Sequence, residues 1–235
     1  MSSKGMVVVS LITEGSSTDP DGKRFPHRHP TPWLVMVAIT ALLGAVVWIK
    51  VLTADEASTA AMSCNNPTVP ASQDPGAAPP APLGERVSAA SVQDVEPAAL
   101  SATKVRVFNA NGERGQAAHV ASQLSDYGFA SAPDVQVGND PVYVAQNMEC
   151  SGQIRFGPNG KAAAASVQLA SPCAELIQDQ RQDDTVDLAL GTYFGDIAPN
   201  TDAEEVLRSL KDPPPGVAPA PLDIELLEAA RIAKC

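Results

Sequence analysis

The longest hydrophobic stretch of the chain lies near its N-terminus. The run from Trp33 to Ile49 contains no charged residue, and beyond Lys50 the apolar pattern continues to Leu52. An α-helix rises about 1.5 Å per residue, so roughly twenty residues cross a hydrocarbon core of about 30 Å. The lysine is compatible with this, because a long cationic side chain near a helix end can reach the membrane interface. The pattern predicts one transmembrane helix over residues 33–52.

Two other interpretations fit this run less well. The apolar part of a cleaved signal peptide is usually about 7–15 residues long and follows a shorter leader. A buried core helix is rarely apolar on every side in a chain of this size. Orientation follows from the flanking charges, since three basic residues between positions 23 and 28 precede the run and two acidic residues follow it at 55 and 56. By the positive-inside rule, residues 1–32 are a cytoplasmic tail and the remainder lies outside the cytoplasm.

The chain after the span changes composition twice. Residues 53–102 are predicted to be an extracytoplasmic linker. Its stretch at about 65–83 is rich in Pro, Ala and Gly, buries too little apolar surface to fold and is typical of an extended spacer. Residues 85–100 are ambiguous and are compatible with a short helix. Hydrophobic residues at strand and helix spacing then predict a domain over residues 103–212. Residues 213–235 begin with a Pro-rich segment and end in an amphipathic helix over 222–234. The tail also contains a short apolar run, Met6–Ile12, which is too brief to span a membrane.

Two similar units account for most of the predicted domain. In the first, the alternating segment Val105–Phe108 runs into a turn and a helix over residues 114–127 that ends at Gly128. In the second, a strand over 153–156 is followed by a turn and an Ala-rich helix over 161–170. Further extended segments are predicted at 135–137, 142–144 and 186–193, and a short helix at 202–210. The sequence therefore predicts the α/β class, an α+β sandwich in which two pseudo-repeated strand–turn–helix units pack their helices on one face of a small sheet.

The net charge and the cysteines exclude several classes of partner and predict disulfide bonds. From residue 53 onward the chain has 11 Lys/Arg and 24 Asp/Glu, a net charge of −13, which argues against binding to nucleic acid or docking on anionic lipid through a basic surface. All four cysteines follow the span, and an even number outside the cytoplasm predicts two disulfides. No two of them have the close spacing of a zinc site. Cys64 lacks the sequence context of a lipoprotein cysteine.

The predicted elements favour one of the three possible disulfide pairings. Cys150 precedes the strand of the second unit and Cys173 follows its helix, so a helix returning along the strand brings these two cysteines together. That pairing leaves Cys64 to bond with Cys235. The second bond would make the spacer a closed loop and hold the domain close to the bilayer. Both pairs, Cys150–Cys173 and Cys64–Cys235, are hypotheses.

The sequence contains no recognisable catalytic or metal-binding motif. His119 is the one histidine after the span, and it lies in the middle of a predicted helix beside apolar positions. No nucleophile elbow and no zinc-protease motif occurs. We predict no catalytic residue, no metal and no cofactor.

Two loops are candidate ligand sites. Glycines between a strand and a helix can present backbone N–H groups to a ligand, so Asn109, Asn111, Gly112 and Gly115 form a possible ligand-facing turn. The alternative is a tight turn that needs positive φ. Four acidic residues could attract Ca²⁺, although acidic loops are usually only solvated; they are Asp179, Asp183, Asp184 and Asp187.

An ordered set of motifs resembles the C-terminal domain of LytR-type proteins. The matching segments include Val105–Gly112, Gly115–Ala117, Ile154–Gly157, Gly160–Ala163 and Asp187–Gly191, within about residues 103–195. In that family the domain often follows a catalytic domain that ligates glycopolymers to peptidoglycan, and we expect no counterpart of the catalytic domain here. The whole arrangement of anchor, spacer, cysteines and single domain resembles actinobacterial envelope-integrity proteins. The resemblance implies a role in maintaining the envelope and implies no catalytic residues.

These observations predict a non-enzymatic module at the cell membrane, with one span, a cytoplasmic N-terminus and an extracytoplasmic domain. Such a module would contribute to envelope integrity by binding a cell-wall polymer or by scaffolding envelope proteins. The alternative is a regulatory partner subunit of an envelope enzyme such as a glycopolymer ligase. An enzyme with an unrecognised site is a third possibility.

Overall fold

The computed structural model of the protein describes residues 31–54 (backbone alone from residue 49), 62–68, 79–213, 221–232 and 235. Most of the N-terminal tail, with the run Met6–Ile12, lies outside these residues. So do most of the Pro-rich spacer and the segment Pro214–Gly216. The chain divides into two compact units, residues 1–53 and residues 54–235, which are described separately.

The first unit contains helix α1, Thr31–Ala54, which includes the predicted span. Among the described residues it is the one helix long and apolar enough to cross a membrane. Its described side chains are almost all exposed, including Trp33 and Trp48, as expected of a surface that meets lipid. Pro32 lies in the first turn, where the missing N–H group costs no helical hydrogen bond.

The second unit is built around a mixed sheet of seven strands. Along the chain they are β1 (Glu85–Val87), β2 (Lys104–Asn109), β3 (Ala130–Ser131), β4 (Val137–Asn139), β5 (Gly152–Phe156), β6 (Glu175–Gln178) and β7 (Val186–Leu190). The spatial order is β1-β6-β5-β7-β2-β3, and β4 also pairs with β2. The helices are α2 (Ala90–Gln93), α3 (Gln116–Tyr127), α4 (Lys161–Ala170), α5 (Thr201–Ser209) and α6 (Ile224–Ala230). The mixed α/β class is confirmed.

Both predicted strand–helix units are present, and each continues into a parallel strand. β2 and α3 lead to β3, which lies parallel to β2, and β5 and α4 lead to β6, which lies parallel to β5. β7 joins the two units, since it runs parallel to β2 and antiparallel to β5. The proposal that the units form a pseudo-repeat stays a prediction.

The sheet has two faces of different chemistry, and both are largely buried. On the helix face, apolar side chains pack beneath the helices; they are Val105, Val107, Ile154, Phe156, Val186, Leu188 and Leu190. Full burial of such a side chain contributes about 1.5–3 kcal/mol. The second face carries the residues between these positions, namely Arg106, Phe108, Gln153, Arg155, Asp187 and Ala189. Residues 140–150 and the chain around Cys64 cover this face.

Two segments differ from their predicted form. Residues 142–144, predicted to be extended, form a turn, because the Asp140 carboxylate accepts hydrogen bonds from the backbone N–H groups of Val142 and Tyr143. Residues 85–102, included in the predicted linker, contain β1 and α2 and pack on the domain. Val92 and Leu100 of this segment are fully buried.

The predicted disulfide pairing is wrong. In the structure Cys64 bonds to Cys150, with Cα atoms 4.8 Å apart, and Cys173 bonds to Cys235, with Cα atoms 5.4 Å apart. The returning helix does bring residues 150 and 173 to the same end of the sheet. However, Cys150 lies on the second face, whereas Cys173 follows α4 on the helix face. Because the sheet separates them, each cysteine bonds to the segment that covers its own side.

Candidate functional site

The described residues hold no group of three or more His, Cys, Asp or Glu side chains placed to bind a metal ion. His119 lies on α3 with its side chain 64 % exposed, and its Nε2 atom is 3.4 Å from a carboxylate oxygen of Asp196. The Asp196 side chain is itself 59 % exposed. An exposed imidazole–carboxylate pair lacks the burial that is typical of a catalytic site.

In the predicted ligand-facing turn, the two asparagine side chains form hydrogen bonds with other groups of the protein. Asn109 accepts a hydrogen bond from the backbone N–H of Ala117 and so caps the start of α3. Asn111 donates to the side chain of Gln116 and to the carbonyl of Gly191, and its oxygen accepts from the N–H of Glu113. Both amides therefore fix the loop between β2 and α3. A role in ligand binding stays a prediction.

The two glycines of this turn have positive φ, 80° at Gly112 and 83° at Gly115. In this left-handed region a residue with a Cβ is strained, so glycine is the residue that the turn favours. Apart from its neighbours along the chain, no heavy atom of the described residues lies within 4 Å of a Cβ placed at Gly115. Glycine is therefore favoured at position 115 by the backbone conformation and not by close packing.

A row of charged residues crosses the second face of the sheet. Strand register places Arg106 of β2 beside Asp187 of β7, and Asp187 beside Arg155 of β5. Asp187 accepts hydrogen bonds from Arg106 and from Arg181, which lies in the loop before β7. Burial opposes the charge on Arg181, but hydrogen bonds to Asp187 and Asp179 outweigh it and raise the pKa of the guanidinium. The charges of this row are thus paired within the molecule.

The most deeply buried pair of this row is Arg155 with Asp140. Arg155 Nη1 lies 2.7 Å from Asp140 Oδ2, and their side chains are only 2 % and 0 % exposed. The other guanidinium nitrogens donate to the amide oxygen of Gln153, and the Tyr143 ring centroid lies 5.7 Å from the guanidinium carbon. Burial also raises the pKa of the Tyr143 phenol. A buried ion pair with this many hydrogen bonds fixes the loop at 140–150 to the sheet.

The chain that follows the membrane helix is built into this same face. We call residues Met62–Thr68 the entry segment. Cys64 is buried and bonded to Cys150, and the side chain of Asn65 donates to the carbonyl of Asn147 and accepts from the N–H of Glu149. The Tyr143 hydroxyl donates to the Asn65 carbonyl. The entry segment is therefore held by a covalent bond and by several hydrogen bonds.

Arg86 of β1 strengthens this attachment. Its Nη2 atom donates to the carbonyls of Cys64 and Asn65, and its Nη1 atom donates to the side chain of Asn66. Its Nε atom pairs with Glu175 at 3.0 Å. All three nitrogens of this side chain are thus engaged by protein oxygens, and the edge strand, β6 and the entry segment are joined at one point.

The four acidic residues that could attract Ca²⁺ each interact with another group of the protein. Asp179 and Asp187 pair with Arg181, and Asp184 pairs with Lys104. Asp183 accepts hydrogen bonds from the hydroxyl and the N–H of Thr185, and the hydroxyl bond is the main reason that its pKa is lowered. These pairings account for the acidic residues without an ion.

Open surface remains at the edge of the sheet. A cavity of about 670 Å³ lies beside the end of β1, between α2, the end of α4 and the end of α6. A second cavity of about 600 Å³ lies at the start of β1, beside Pro158 and the loop after β6. Sequence patterns did not indicate either cavity, because they form where segments distant in the chain meet.

Sequence reasoning also missed the buried charges. Arg106 and Arg155 each stand between apolar residues of a predicted strand, and alternation of this kind usually indicates a solvent-facing side. The one available signal was that both strand motifs, Val105–Phe108 and Ile154–Phe156, place an arginine at the same position.

Comparison with known proteins agrees with this architecture. Residues 102–194 match the family model described as LytR cell envelope-related transcriptional attenuator. The chain is 44 % identical over 228 residues to the cell envelope integrity protein Cei of Mycobacterium tuberculosis, which covers 97 % of this chain and all of that protein. The structure also matches the crystal structure of the soluble domain of a conserved hypothetical secreted protein from Mycobacterium marinum, with a TM-score of 0.59 and 50 % identity. That match covers 65 % of this chain and 99 % of the other.

The chain therefore belongs to the family of the cell envelope integrity protein Cei and contains a LytR C-terminal domain. Family membership, the apolar N-terminal helix and the two disulfides together support an envelope-associated role for a domain outside the cytoplasm.

Proposed function

We propose that the protein is a non-enzymatic module of the cell envelope, anchored by α1, whose extracytoplasmic domain contributes to envelope integrity by binding a wall component or scaffolding envelope proteins. Its N-terminal tail is cytoplasmic in this proposal, as the basic residues before the span favour. The cell envelope integrity protein of Mycobacterium tuberculosis aligns with 97 % of this chain, and this similarity supports the envelope role.

The observation that carries this proposal is the attachment of the entry segment to the second face. Ten residues after Ala54, the chain is already bonded to Cys150 in the domain. This attachment supports a module that acts near its membrane anchor, because a longer unattached spacer would let the domain act farther into the wall. The buried charges are paired with one another, which leaves binding through the surface as the function that the domain supports best.

Complementation of a strain that lacks the protein tests this function. We expect the full chain to restore the barrier to detergents and antibiotics. A variant that replaces Cys64 and Cys150 with alanine should restore it less well, because the entry segment is released. A variant that replaces Trp33–Ile49 with a leader cleaved on export should fail although its domain is secreted. The proposal is wrong if the secreted domain restores the barrier fully, or if loss of the protein leaves permeability unchanged.

Retention experiments separate a wall ligand from a protein partner. The soluble domain of the relative from Mycobacterium marinum was crystallised alone, so the equivalent part of this chain is suitable as a purified probe. Retention on purified wall polymer supports direct binding of a wall component. Retention of a defined envelope protein alone supports scaffolding, and a change in the activity of a retained enzyme would favour the regulatory-subunit alternative.

A further inference from the structure

Among the described residues, β1 is an edge strand of the sheet. It pairs with β6 on one side, and within the described part of the chain no further backbone hydrogen bond involves Glu85, Arg86 or Val87. Edge strands present unpaired N–H and C=O groups that can pair with another chain. Arg86 does not shield this edge, because its guanidinium turns to Glu175 and the entry segment.

The two large cavities lie at the two ends of this strand. The cavity of about 670 Å³ adjoins Val87 and Ser88, and the cavity of about 600 Å³ adjoins Gly84 and Glu85. A strand of three residues is about 10 Å long, so one extended segment of roughly six to eight residues would follow β1 and reach both cavities. Side chains that flank the paired part of the segment would enter them.

The walls of the cavities offer mainly neutral hydrogen-bonding groups. Within the described residues, several side chains that line them form no hydrogen bond to protein; these are Ser63, Ser88, Gln93, Gln168, Gln178 and Gln180. The two arginines are already engaged, Arg86 as described and Arg231 by the carbonyls of α2 and the residues after it. An anionic polymer would therefore find no free cation here.

One unpaired charge remains at the strand. Glu85 is exposed and has no ion-pair partner among the described residues, whereas Glu175 and Asp179 in the same walls are paired with arginines. A basic side chain directly across from Glu85 on an added strand would complete a cross-strand pair of opposite charges.

We propose that β1 is the docking edge for an extended polypeptide segment of an envelope partner protein, with a Lys or Arg opposite Glu85 and uncharged side chains in the two cavities. In an extended peptide, the N–H and C=O groups that face one side recur every two residues. This spacing matches that of the free N–H and C=O groups of an edge strand, and a glycan has no such pattern. This inference rests on the scaffolding form of the proposed function and names the class of partner.

Site-specific photo-crosslinking in the full-length protein, expressed in its own cells, tests the proposal. A photoreactive benzophenone side chain replaces Ser88 at the end of β1 or, as a control, the exposed Glu205 of α5. We expect adducts at position 88, mapped by mass spectrometry to one extended segment of another protein, and fewer at position 205. Adding Glu85→Lys should lower the yield at position 88 by about two- to fivefold, since like charges then replace a cross-strand pair of opposite charges. Glu205→Lys is the matched control and should leave that yield unchanged.

A charge exchange completes the test. When the basic residue of the mapped segment is changed to Glu, binding to Glu85→Lys should recover. Adducts on wall glycan or on this chain's own spacer would each overturn the proposal, as would equal yields at positions 88 and 205. Such results leave the envelope function standing if loss of the protein still weakens the barrier. Unchanged thermal unfolding of Glu85→Lys shows that the variant is folded.

Discussion

Both faces of the sheet are largely buried, but they are held by different interactions. On the helix face, Ile154 and Leu188 pack among other apolar side chains. They stabilise the fold because their apolar surface is removed from water. On the second face, Arg155 and Asp187, each next along the chain to one of these residues, are buried through ion pairs and hydrogen bonds. In these strands, alternate side chains therefore face an apolar buried layer and a polar buried layer. They do not alternate between the core and the solvent.

This difference has a consequence for function. A polar face is less tolerant of change than an apolar one, because removing one partner leaves the other buried and unsatisfied. The polar face is also where the entry segment attaches. The chain from the membrane thus joins the domain at the face whose contacts are the most directional. We expect that junction to be rigid.

The largest expected effect comes from removing the Cys64–Cys150 bond that ties the entry segment to the second face. The bonded residues are 86 positions apart, and loop entropy predicts that Cys64→Ala with Cys150→Ala lowers the free energy of unfolding by about 4–5 kcal/mol. Urea unfolding of the soluble domain measures the loss. Hydrogen exchange at the Glu149 amide, which donates to Asn65, should speed up in this variant.

The matched control removes the helix-face bond, Cys173–Cys235, whose residues are 62 positions apart. Loss of this bond should lower the free energy of unfolding by a similar amount, about 4 kcal/mol. Hydrogen exchange at the Glu149 amide should not speed up beyond what this loss of global stability causes. Peptide mapping without reduction checks the pairing itself. A peptide pair joining Cys150 to Cys173 would contradict the assignment of one bond to each face.

The next effect concerns the buried ion pair. Arg155→Met fills a similar volume but leaves the Asp140 carboxylate buried without its cation, so we expect the free energy of unfolding to fall by about 3–5 kcal/mol. Adding Asp140→Asn should recover part of this loss, because the amide oxygen can still accept from Val142 and Tyr143. Urea unfolding measures both variants. If Arg155→Met costs less than about 1 kcal/mol, the second face is not held by its charges.

Sequence reasoning predicted the fold where the signal was local. The alternation at Val105–Phe108 and the helical spacing before Gly128 correspond to β2 and α3, and the second unit corresponds to β5 and α4. The helices do lie on one face. Each of these elements is specified within a window of about ten residues, which is the range over which hydrophobic periodicity acts.

The missed features depend on contacts between distant segments. β1 follows a Pro-rich stretch and is stabilised by pairing with β6, about ninety positions later, so its own three residues carry little signal. The disulfide pairing failed because the sequence indicates which end of the sheet a cysteine reaches and not which face. The cavities beside β1 likewise require the assembled helices and loops.

A smaller effect is expected at the neighbour of Arg155 on the helix face. Ile154→Val removes one methylene group from a well-packed core, and we expect a cost of about 0.5–1.5 kcal/mol. Urea unfolding under the conditions used for Arg155→Met gives a direct comparison of adjacent residues in β5. A cost equal to that of Arg155→Met would remove the distinction between the two faces.

The smallest effect lies at the exposed end of the second face, where the hydroxyl of Thr185 lowers the pKa of Asp183. A carboxyl group with a lowered pKa stabilises the fold above its unfolded pKa, and this contribution is lost as the pH falls through the folded pKa. Thr185→Val removes the hydroxyl but keeps the backbone N–H donor, so the pKa of Asp183 should rise toward its ordinary value without reaching it. NMR titration of the carboxyl carbon follows the change, with Asp183→Asn assigning the signal. An unchanged pKa would mean that the backbone N–H of Thr185 and the positive charges of Arg181 and Arg106 lower it without the hydroxyl. The polar network of the second face would then not extend through hydroxyl donors to its exposed end.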